Sequence, residues 1–249
     1  MNLKEKKVIV TGGVRGIGKA IVSNLLNEGA IVGVFDIDVA GFDNLQKNNA
    51  NVWCLECDLT DHLQVASAVD RFYDDFGEIN ALVNNAGILF SAPLVRLTPQ
   101  GIIKHDVNMW EKVMATDLSS VFYMTAHVAE KMILKRTKGV IVNISSICAA
   151  GNAGQSAYSA AKAGVNALTV TWAKELGLLG IRVIGIAPGF FDTESTHKAI
   201  SDDHIKHVVK EVPLRRLGKA DEIAHCVTSV LQNDYINGKI IAIDGGLTI

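Results

Sequence analysis

The sequence predicts an α/β fold: a doubly wound, parallel sheet of seven strands with helices on both faces. Apolar, β-branched runs alternate with helix-like segments along the whole chain, and such strands are typical of parallel sheets buried on both sides. Crossovers between parallel strands are right-handed, which places helices on both faces. Because no Pro- or Gly-rich linker or repeat interrupts the 249 residues, we expect one domain spanning residues 1–249.

Each predicted element has a local signal. Short apolar runs rich in Val and Ile predict the strands. These are Lys7–Thr11, Ile31–Asp36, Val52–Cys57, Ala81–Asn84, Val140–Ser145, Arg182–Ala187 and Ile240–Ile243. Longer segments between them, with apolar residues at helical spacing, predict helices. These are Ile17–Asn27, Asp61–Phe76, Trp110–Lys135, Ala157–Leu178, Asp202–Glu211 and Asp221–Leu231.

Composition and charge exclude several classes of protein. The chain is 49% hydrophobic and has a net charge of −2, which excludes a disordered chain and a basic nucleic-acid-binding protein. No signal peptide is visible, and no apolar run reaches the roughly 18 residues that a membrane span needs. We therefore expect a cytoplasmic protein with neither a nucleic-acid nor a membrane partner.

Two residue pairs could suggest a metal site. Cys54 and Cys57 form a C-x-x-C, but no second pair follows at zinc spacing. Residues three apart on a strand point to opposite faces, so we interpret both as ordinary buried cysteines. His204 and His207 lie three apart on a predicted helix, where we expect them to decorate a mobile substrate lid. We predict no metal.

The first strand turns into a helix through glycines. The segment is Thr11-Gly12-Gly13-Val14-Arg15-Gly16-Ile17-Gly18. Without side chains, backbone N–H groups can approach a pyrophosphate, and the helix N-terminus adds positive potential. This turn therefore predicts a Rossmann fold that binds a dinucleotide.

The second strand ends at Asp36, near the position where an acidic residue bonds the adenosine ribose. A carboxylate there would repel the 2′-phosphate of NADP, so we predict a preference for NAD. Arg15 opposes this because it could pair with that phosphate. NADP therefore stays possible.

A second motif carries the chemistry. Tyr158 and Lys162 are four residues apart on a predicted helix and share one face. The lysine ammonium is expected to lower the pKa of the tyrosine, which is otherwise about 10, towards working pH. The preceding strand ends Ser145-Ser146, and a serine there could donate to a substrate oxygen that gains negative charge.

With these motifs the chain resembles the short-chain dehydrogenase/reductase family over essentially its whole length. The resemblance rests also on Asp58, on Asn84-Asn85-Ala86-Gly87 and on Pro188-Gly189-Phe190-Phe191-Asp192-Thr193. It implies an enzyme that interconverts a carbonyl and a secondary alcohol, with cofactor contacts in four groups. These are Gly12, Arg15, Gly16, Ile17, Gly18 and Asp36; Asp58 and Leu59; Asn85, Ala86 and Gly87; and Tyr158, Lys162, Pro188, Gly189, Phe191 and Thr193.

The chain departs from the family pattern at two places. Asp117 stands where the family usually has an asparagine that supports a water relay to the lysine, so it can keep that role or perturb the charge of the relay. Loop length would select Ser145 as the catalytic serine, whereas position in the Asn-x-Ser-Ser motif selects Ser146. Strand phase is more rigid than loop length, so we favour Ser146.

The substrate is less sharply indicated. Gly151–Gln155 resembles the same segment of 3-oxoacyl-(acyl carrier protein) reductases, which implies a thioester substrate carried on acyl carrier protein. Leu179, where those reductases often have a basic residue, and the long stretch Leu94–Trp110 depart from them. A hydroxysteroid, sugar or other secondary alcohol, and a dinucleotide sensor without turnover, stay open. Resemblance also implies a homotetramer.

Overall fold

The computed structural model describes residues 1–47 and 49–249. Within these residues, seven strands form one parallel sheet and two more form a separate antiparallel hairpin. In chain order the strands are β1 (Lys7–Thr11), β2 (Ile31–Asp36), β3 (Val52–Glu56), β4 (Ala81–Asn84), β5 (Val95–Thr98), β6 (Gly101–Lys104), β7 (Val140–Ile144), β8 (Arg182–Pro188) and β9 (Ile240–Ile243). Each predicted strand is found to within one residue.

The strand order confirms a doubly wound sheet. From β1 the chain moves outward to β2 and β3, then returns to place β4, β7, β8 and β9 on the other side of β1. The order reverses between β1 and β4, and ligands of such sheets bind in the crevice outside the carboxyl ends of the strands at this switch point. The topology alone therefore places a site after β1 and β4.

Helices cover both faces. They are α1 (Gly16–Asn27), α2 (Phe42–Lys47), α3 (His62–Phe76), α4 (Val107–Met114), α5 (Ser120–Lys135), α6 (Ser156–Gly177), α7 (Glu194–Ala199), α8 (Asp202–Glu211) and α9 (Ala220–Gln232). Side chains alternate across a strand, and β1 shows this: Val8 and Val10 join one core with α1 and α9, whereas Ile9 joins the other with α3, α5 and α6.

A network of buried polar side chains links the central strands β4 and β7 to the helices α5 and α6. Asn84 on β4 donates to Thr125 on α5 (3.0 Å) and to Asn143 on β7 (2.8 Å). Asn143 donates in turn to Thr169 on α6 (2.9 Å). Because buried polar groups are costly when unpaired, these bonds fix α5 and α6 relative to the strand ends that carry the site.

The stretch from Leu94 to Lys135 differs from the prediction of one helix from Trp110. The β5–β6 hairpin projects from the sheet, with Leu97 82% and Ile102 71% exposed. The helix then starts at Val107, and a π turn at Ala115–Ser119 separates α4 from α5. Such turns widen the helix by one residue and often occur at functional sites; this one holds Asp117 inward, fully buried.

The two cysteines differ in burial: Cys57 is buried, as predicted, whereas Cys54 is only partly buried. Cys54 packs against the core of α1 and α9, and Cys57 lies in the core of α3, α5 and α6, so they occupy opposite faces. Burial raises the pKa of each thiol to about 11, with nearby carboxylates adding to it. In the described part of the chain, no three His, Cys, Asp or Glu side chains are placed to hold a metal ion.

Among the described helices, none combines the length and the apolar character needed to cross a membrane.

Candidate active site

One cleft of about 1150 Å³ opens at the carboxyl ends of the strands. The loops after β1, β2, β3, β4, β7 and β8 form its walls, because carboxyl ends of parallel strands share one edge of a sheet. Every site residue selected from the sequence lines it: Gly12, Arg15, Gly16, Ile17, Gly18, Asp36, Asp58, Leu59, Asn85, Ala86, Gly87, Asp117, Ser145, Ser146, Tyr158, Lys162, Pro188, Gly189, Phe191 and Thr193.

The turn after β1 needs its glycines for separate reasons. Gly12 and Gly16 adopt left-handed backbone with φ of +64° and +54°, which side chains disfavour. A Cβ on Gly18 would collide with the Gly12 carbonyl oxygen, so the helix could not approach the strand. A Cβ on Gly16 would meet open space, since no described heavy atom outside its immediate neighbours lies within 4 Å. That space faces the cleft.

The start of α1 suits an anion. Its N-cap residue, Arg15, is extended and, among the described contacts, makes no side-chain bond to the first-turn N–H groups. No acidic residue lies in the first turn. Free N–H groups and the helix dipole together favour a phosphate. The turn therefore fits the pyrophosphate of a dinucleotide.

Asn85 holds the neighbouring loop against this turn. Its side-chain amide donates to the carbonyl oxygens of Thr11 (3.0 Å) and Gly12 (2.9 Å), and its backbone N–H donates to the Thr11 hydroxyl (3.0 Å). Ala86 N–H donates to the same hydroxyl (3.1 Å). The strand ends of β1 and β4 are thus joined at the switch point, and a Cβ on Gly12 would already touch Ala86.

Asp36 lies at the edge of the cleft with a fixed carboxylate. One oxygen accepts from the Val14 N–H (3.1 Å), the other from the Asp38 N–H (3.0 Å). The group is 8% exposed. Arg15, which the sequence offered as a phosphate partner, instead lies 3.7 Å from the carboxylate of Asp38. The positive charge of Arg15 is therefore already partly neutralised.

The turn after β3 is fixed by its own polar groups. The Asp58 carboxylate accepts from the N–H and the hydroxyl of Thr60 (2.9 and 2.7 Å). Its backbone N–H donates to the Gln64 side chain (3.1 Å). Leu59 is buried between this turn and the core. Both residues face the cleft beside Asp36.

Tyr158, Lys162 and Ser146 come together on the opposite side of the cleft. Tyr158 and Lys162 lie one turn apart on α6, with the ammonium 5.7 Å from the centre of the phenol ring. The ammonium donates to the Ile144 carbonyl (3.0 Å) at the end of β7. Ser146 lies near the Tyr158 hydroxyl and acts to lower the pKa of that phenol.

The two serines have different surroundings. Ser146 Oγ accepts from the Cys148 N–H (3.1 Å) and caps a short 3₁₀ turn, which leaves its hydroxyl hydrogen for an oxygen in the cleft. Ser145 Oγ donates to the carbonyl of Lys162 (3.3 Å), and its N–H donates to Ile186 (2.7 Å). The second serine therefore faces the tyrosine, and the first holds α6 to the sheet.

Asp117 changes the electrostatics of this group. Its Oδ1 accepts from the Ile88 N–H (2.9 Å), and its Oδ2 lies 3.5 Å from the Lys162 ammonium. Burial raises the pKa of Asp117, while the ammonium and the Ile88 N–H oppose that change. A Cβ on Gly87 would press on Oδ2 at 2.9 Å, so the glycine makes room for the carboxylate.

The pKa of Tyr158 differs from the sequence expectation. Burial raises it above the ordinary value, and the negative charge of Asp117 adds to the rise, against the lowering by Ser146. The expected lowering by Lys162 is offset because Asp117 neutralises the ammonium. The raised pKa of Tyr158 favours the protonated phenol.

The segment after β8 forms the remaining wall. The Gly189 N–H donates to Ile243 (2.9 Å) and ties the wall to β9. Phe191 belongs to the core cluster that includes α9, and it also lines the cleft. Thr193 caps α7 by accepting from the Thr196 N–H (3.3 Å). These bonds set the position of α7 at the cleft mouth.

Several lining residues were missed by sequence reasoning. Gln155 is buried, donates to Ser91 (3.2 Å) and accepts from Asn152 (3.1 Å). This contact joins segments 64 residues apart, which no local pattern signals. The others are Ile37, Cys57, Thr60, Ile88, Leu89, Asn108, Glu111, Lys112, Ala115, Thr116, Ile144, Cys148, Ser195, Thr196, Lys198 and Ile200. Position after a predicted strand end could have indicated Ile37, Thr60 and Ile88.

A dinucleotide-binding turn that faces a tyrosine, a lysine and a serine defines an oxidoreductase acting on alcohol or carbonyl groups. Residues 6–204 match the family model described as short chain dehydrogenase. The chain belongs to the short-chain dehydrogenase family, and it is an NAD(P)-dependent oxidoreductase of that kind.

Relatives with different substrates are similarly close. A 3-oxoacyl-(acyl carrier protein) reductase of Thermotoga maritima is 38% identical over 256 residues, covering 100% of both chains. A sorbitol-6-phosphate 2-dehydrogenase of Klebsiella pneumoniae is 36% identical over 265 residues, covering 100% of this chain and 98% of the relative. The crystal structure of a protein assigned as a gluconate dehydrogenase of Agrobacterium tumefaciens has a TM-score of 0.90 at 29% identity, covering 99% of this chain and 97% of that one.

Proposed function

We propose that this protein is an NAD-preferring oxidoreductase in which Tyr158 and Ser146 act on a carbonyl or secondary alcohol. The observation that carries the proposal is that Ser146, Tyr158 and Lys162 line the same cleft as the glycine turn of α1. A bound nicotinamide dinucleotide supplies or accepts the hydride. Gly12, Gly16 and the start of α1 would hold its pyrophosphate.

The residues of the chain handle the proton and the oxygen. In reduction, Tyr158 gives its proton to the carbonyl oxygen while the Ser146 hydroxyl donates a hydrogen bond to the same atom. In oxidation, Tyr158 takes the hydroxyl proton of the alcohol. Lys162, 3% exposed, would hold the nicotinamide ribose. Pro188, Gly189, Phe191 and Thr193 would border the nicotinamide.

The preference for NAD is argued from Asp36. Its carboxylate is held by two backbone N–H groups, so it cannot turn away from a ribose 2′-phosphate. Arg15 is drawn to Asp38, which weakens the rival prediction that it binds that phosphate. Asp58 and Leu59 would lie against the adenine, next to Asp36.

The proposed substrate is a 3-oxoacyl thioester, presented on acyl carrier protein. Supporting it are the resemblance of Gly151–Gln155 and the similarity to 3-oxoacyl-(acyl carrier protein) reductases. A sugar or polyol is the second candidate, because Gln155 adds a buried polar group to the cleft and two relatives are named as dehydrogenases of such compounds.

A substrate panel tests these assignments. A 3-oxoacyl thioester, gluconate and sorbitol 6-phosphate are each offered with the matching redox form of NAD and NADP, and absorbance of the reduced nicotinamide is followed. Turnover of the thioester with NADH supports the first candidate. Tyr158→Phe should abolish turnover and leave NADH binding unchanged. A wild-type protein that binds NADH and turns over nothing would be a dinucleotide sensor.

Three further properties belong to the proposal. Residues 1–249 are proposed to act as one domain, because α6 and the strands that bear the cleft also form both cores. A homotetramer in the cytoplasm is proposed from the family. Light scattering coupled to size exclusion tests the tetramer, and a mass near that of one chain contradicts it.

A further inference from the structure

We propose that Asp117 is a positioning residue that keeps Tyr158 protonated by neutralising Lys162, so that this protein works first as a reductase. The proposal deepens the proposed function and rests on it for the direction of the reaction. The observation that motivates it is that one carboxylate oxygen is buried without a hydrogen bond. Within the described residues, Asp117 Oδ2 is fully buried and has no hydrogen-bond partner. The Lys162 ammonium, 3.5 Å away, is the cation that faces it.

The Lys162 ammonium is placed to stabilise one negative charge, and a second negative charge beside it would be unfavourable. The ammonium already donates to the Ile144 carbonyl and faces the Asp117 carboxylate, and both side chains are almost fully buried. A phenolate on Tyr158, which is only partly exposed, would add a second anion beside the same buried cation. Like charges in such a site cannot both form at neutral pH.

The other charged groups do not supply the missing positive charge. Cys148 also faces Tyr158 and, if ionised, would oppose a phenolate. From α4, Glu111 and Lys112 line the cleft with opposite charges, and Lys198 on α7 is already paired with Glu194 at 2.5 Å. The pKa of Tyr158 is accordingly raised by burial and by Asp117.

A protonated phenol matches one direction of the reaction. In reduction, the carbonyl carbon accepts a hydride with its electron pair from the reduced dinucleotide, and the carbonyl oxygen takes the Tyr158 proton. Solvent then returns a proton to the phenolate, which the nearby Asp117 charge favours. Oxidation needs the phenolate at the start, so it requires a higher pH.

The deciding variant is Asp117→Asn, which keeps an oxygen for the Ile88 N–H and removes the charge. We expect the pH midpoint of kcat/KM for oxidation to fall by about one unit or more, the size of shift that a neighbouring charge produces. Reduction should lose activity at a correspondingly lower pH than in the wild type. Asp117→Ala, which also loses the Ile88 bond, should share the shift and add thermal instability. Equal midpoints in wild type and Asp117→Asn overturn the proposal.

A second measurement needs neither turnover nor cofactor. The phenolate absorbance of the wild type minus that of Tyr158→Phe gives the titration of Tyr158 alone. We expect a midpoint above the ordinary tyrosine value of about 10, shifted down in Asp117→Asn. A wild-type midpoint below 10 refutes the inference even if the variant does not fold. If the wild type turns over no substrate but this titration behaves as expected, the proposed function fails and the role of Asp117 stands.

Discussion

The choice between NAD and NADP can be tested at one side chain. Asp36→Asn removes a charge from the cleft edge while preserving size. The wild-type carboxylate is held in place, because the N–H groups of Val14 and Asp38 donate to its two oxygens at 3.1 and 3.0 Å. Any 2′-phosphate beside it must therefore meet the full charge.

The size of the effect follows from Coulomb's law. Two unit charges about 5 Å apart interact by roughly 1–3 kcal/mol at an effective dielectric constant of about 80 to 20. A value near 2 kcal/mol corresponds to about a 30-fold change in a ratio of dissociation constants. The asparagine also loses one backbone hydrogen bond, at a cost of about 1 kcal/mol, but this weakens both cofactors alike. The ratio of the two affinities is thus the quantity to compare.

Fluorescence titration with NADH and NADPH measures that ratio, and calorimetry with AMP and 2′,5′-ADP isolates the phosphate. We expect Asp36→Asn to lower the preference for NADH by about 30-fold, with a smaller change at high salt. Asp38→Asn is a companion variant: it releases Arg15 from its 3.7 Å ion pair and should improve NADPH binding through attraction. A ratio that moves less than about threefold in Asp36→Asn, under one kcal/mol, would show that the ribose lies elsewhere.

Three other predictions address the serines, the buried network and the hairpin. Ser146→Ala should reduce kcat by about 100-fold or more, the usual cost of removing an oxyanion donor. Ser145→Ala should mainly lower stability. A large loss of kcat in Ser145→Ala but not in Ser146→Ala contradicts the assignment. Thr169→Val leaves the Asn143 amide unpaired and should cost about 1–3 kcal/mol, or roughly 2–4 °C in melting temperature per kcal/mol; an unchanged melting curve contradicts this. Replacing the hairpin Val95–Lys104 by a short Gly-Ser loop should change KM for the carbonyl substrate and leave NADH affinity intact, because its two ends lead to lining residues of the cleft; an equal loss of both indicates global damage.

Regular, buried strands were predictable from the sequence because burial on both faces requires a continuous run of apolar residues. Strands β1, β2 and β4 have the predicted bounds, since a strand covered on both faces must be apolar throughout. The edge strand β9 also has the predicted bounds, although none of its residues is buried. The hairpin Val95–Lys104 escaped the prediction because it is short and exposed on both sides, so no alternation of apolar and polar residues marks it. The short helices α2 and α7 likewise have little apolar periodicity to find.

The lining of the cleft was predictable where a motif combines residue type with a strand end. The glycine turn and the Tyr158/Lys162 pair are of this kind. Gln155 was not, because its importance depends on Ser91, a partner that only the folded chain brings near. Strand phase in the sequence favours Ser146 over Ser145. Only the folded structure shows the hydrogen-bond partners that distinguish the two serines.

The electrostatics of the tyrosine show most clearly what a motif leaves open. Four-residue spacing places a cation beside Tyr158, but the effect of that cation depends on what else it faces. Here a third element, the π turn, brings Asp117 to 3.5 Å from Lys162. Burial, together with the Asp117 charge, raises the pKa of the phenol where the pair alone predicts a fall. The pKa of Tyr158 depends on all the charged groups around it, Asp117 as well as Lys162. Because tertiary structure brings these groups together, the Tyr158/Lys162 motif alone does not determine that pKa. Substitution at position 117 therefore tests the direction of the reaction more directly than substitution of Tyr158, which removes the reaction altogether.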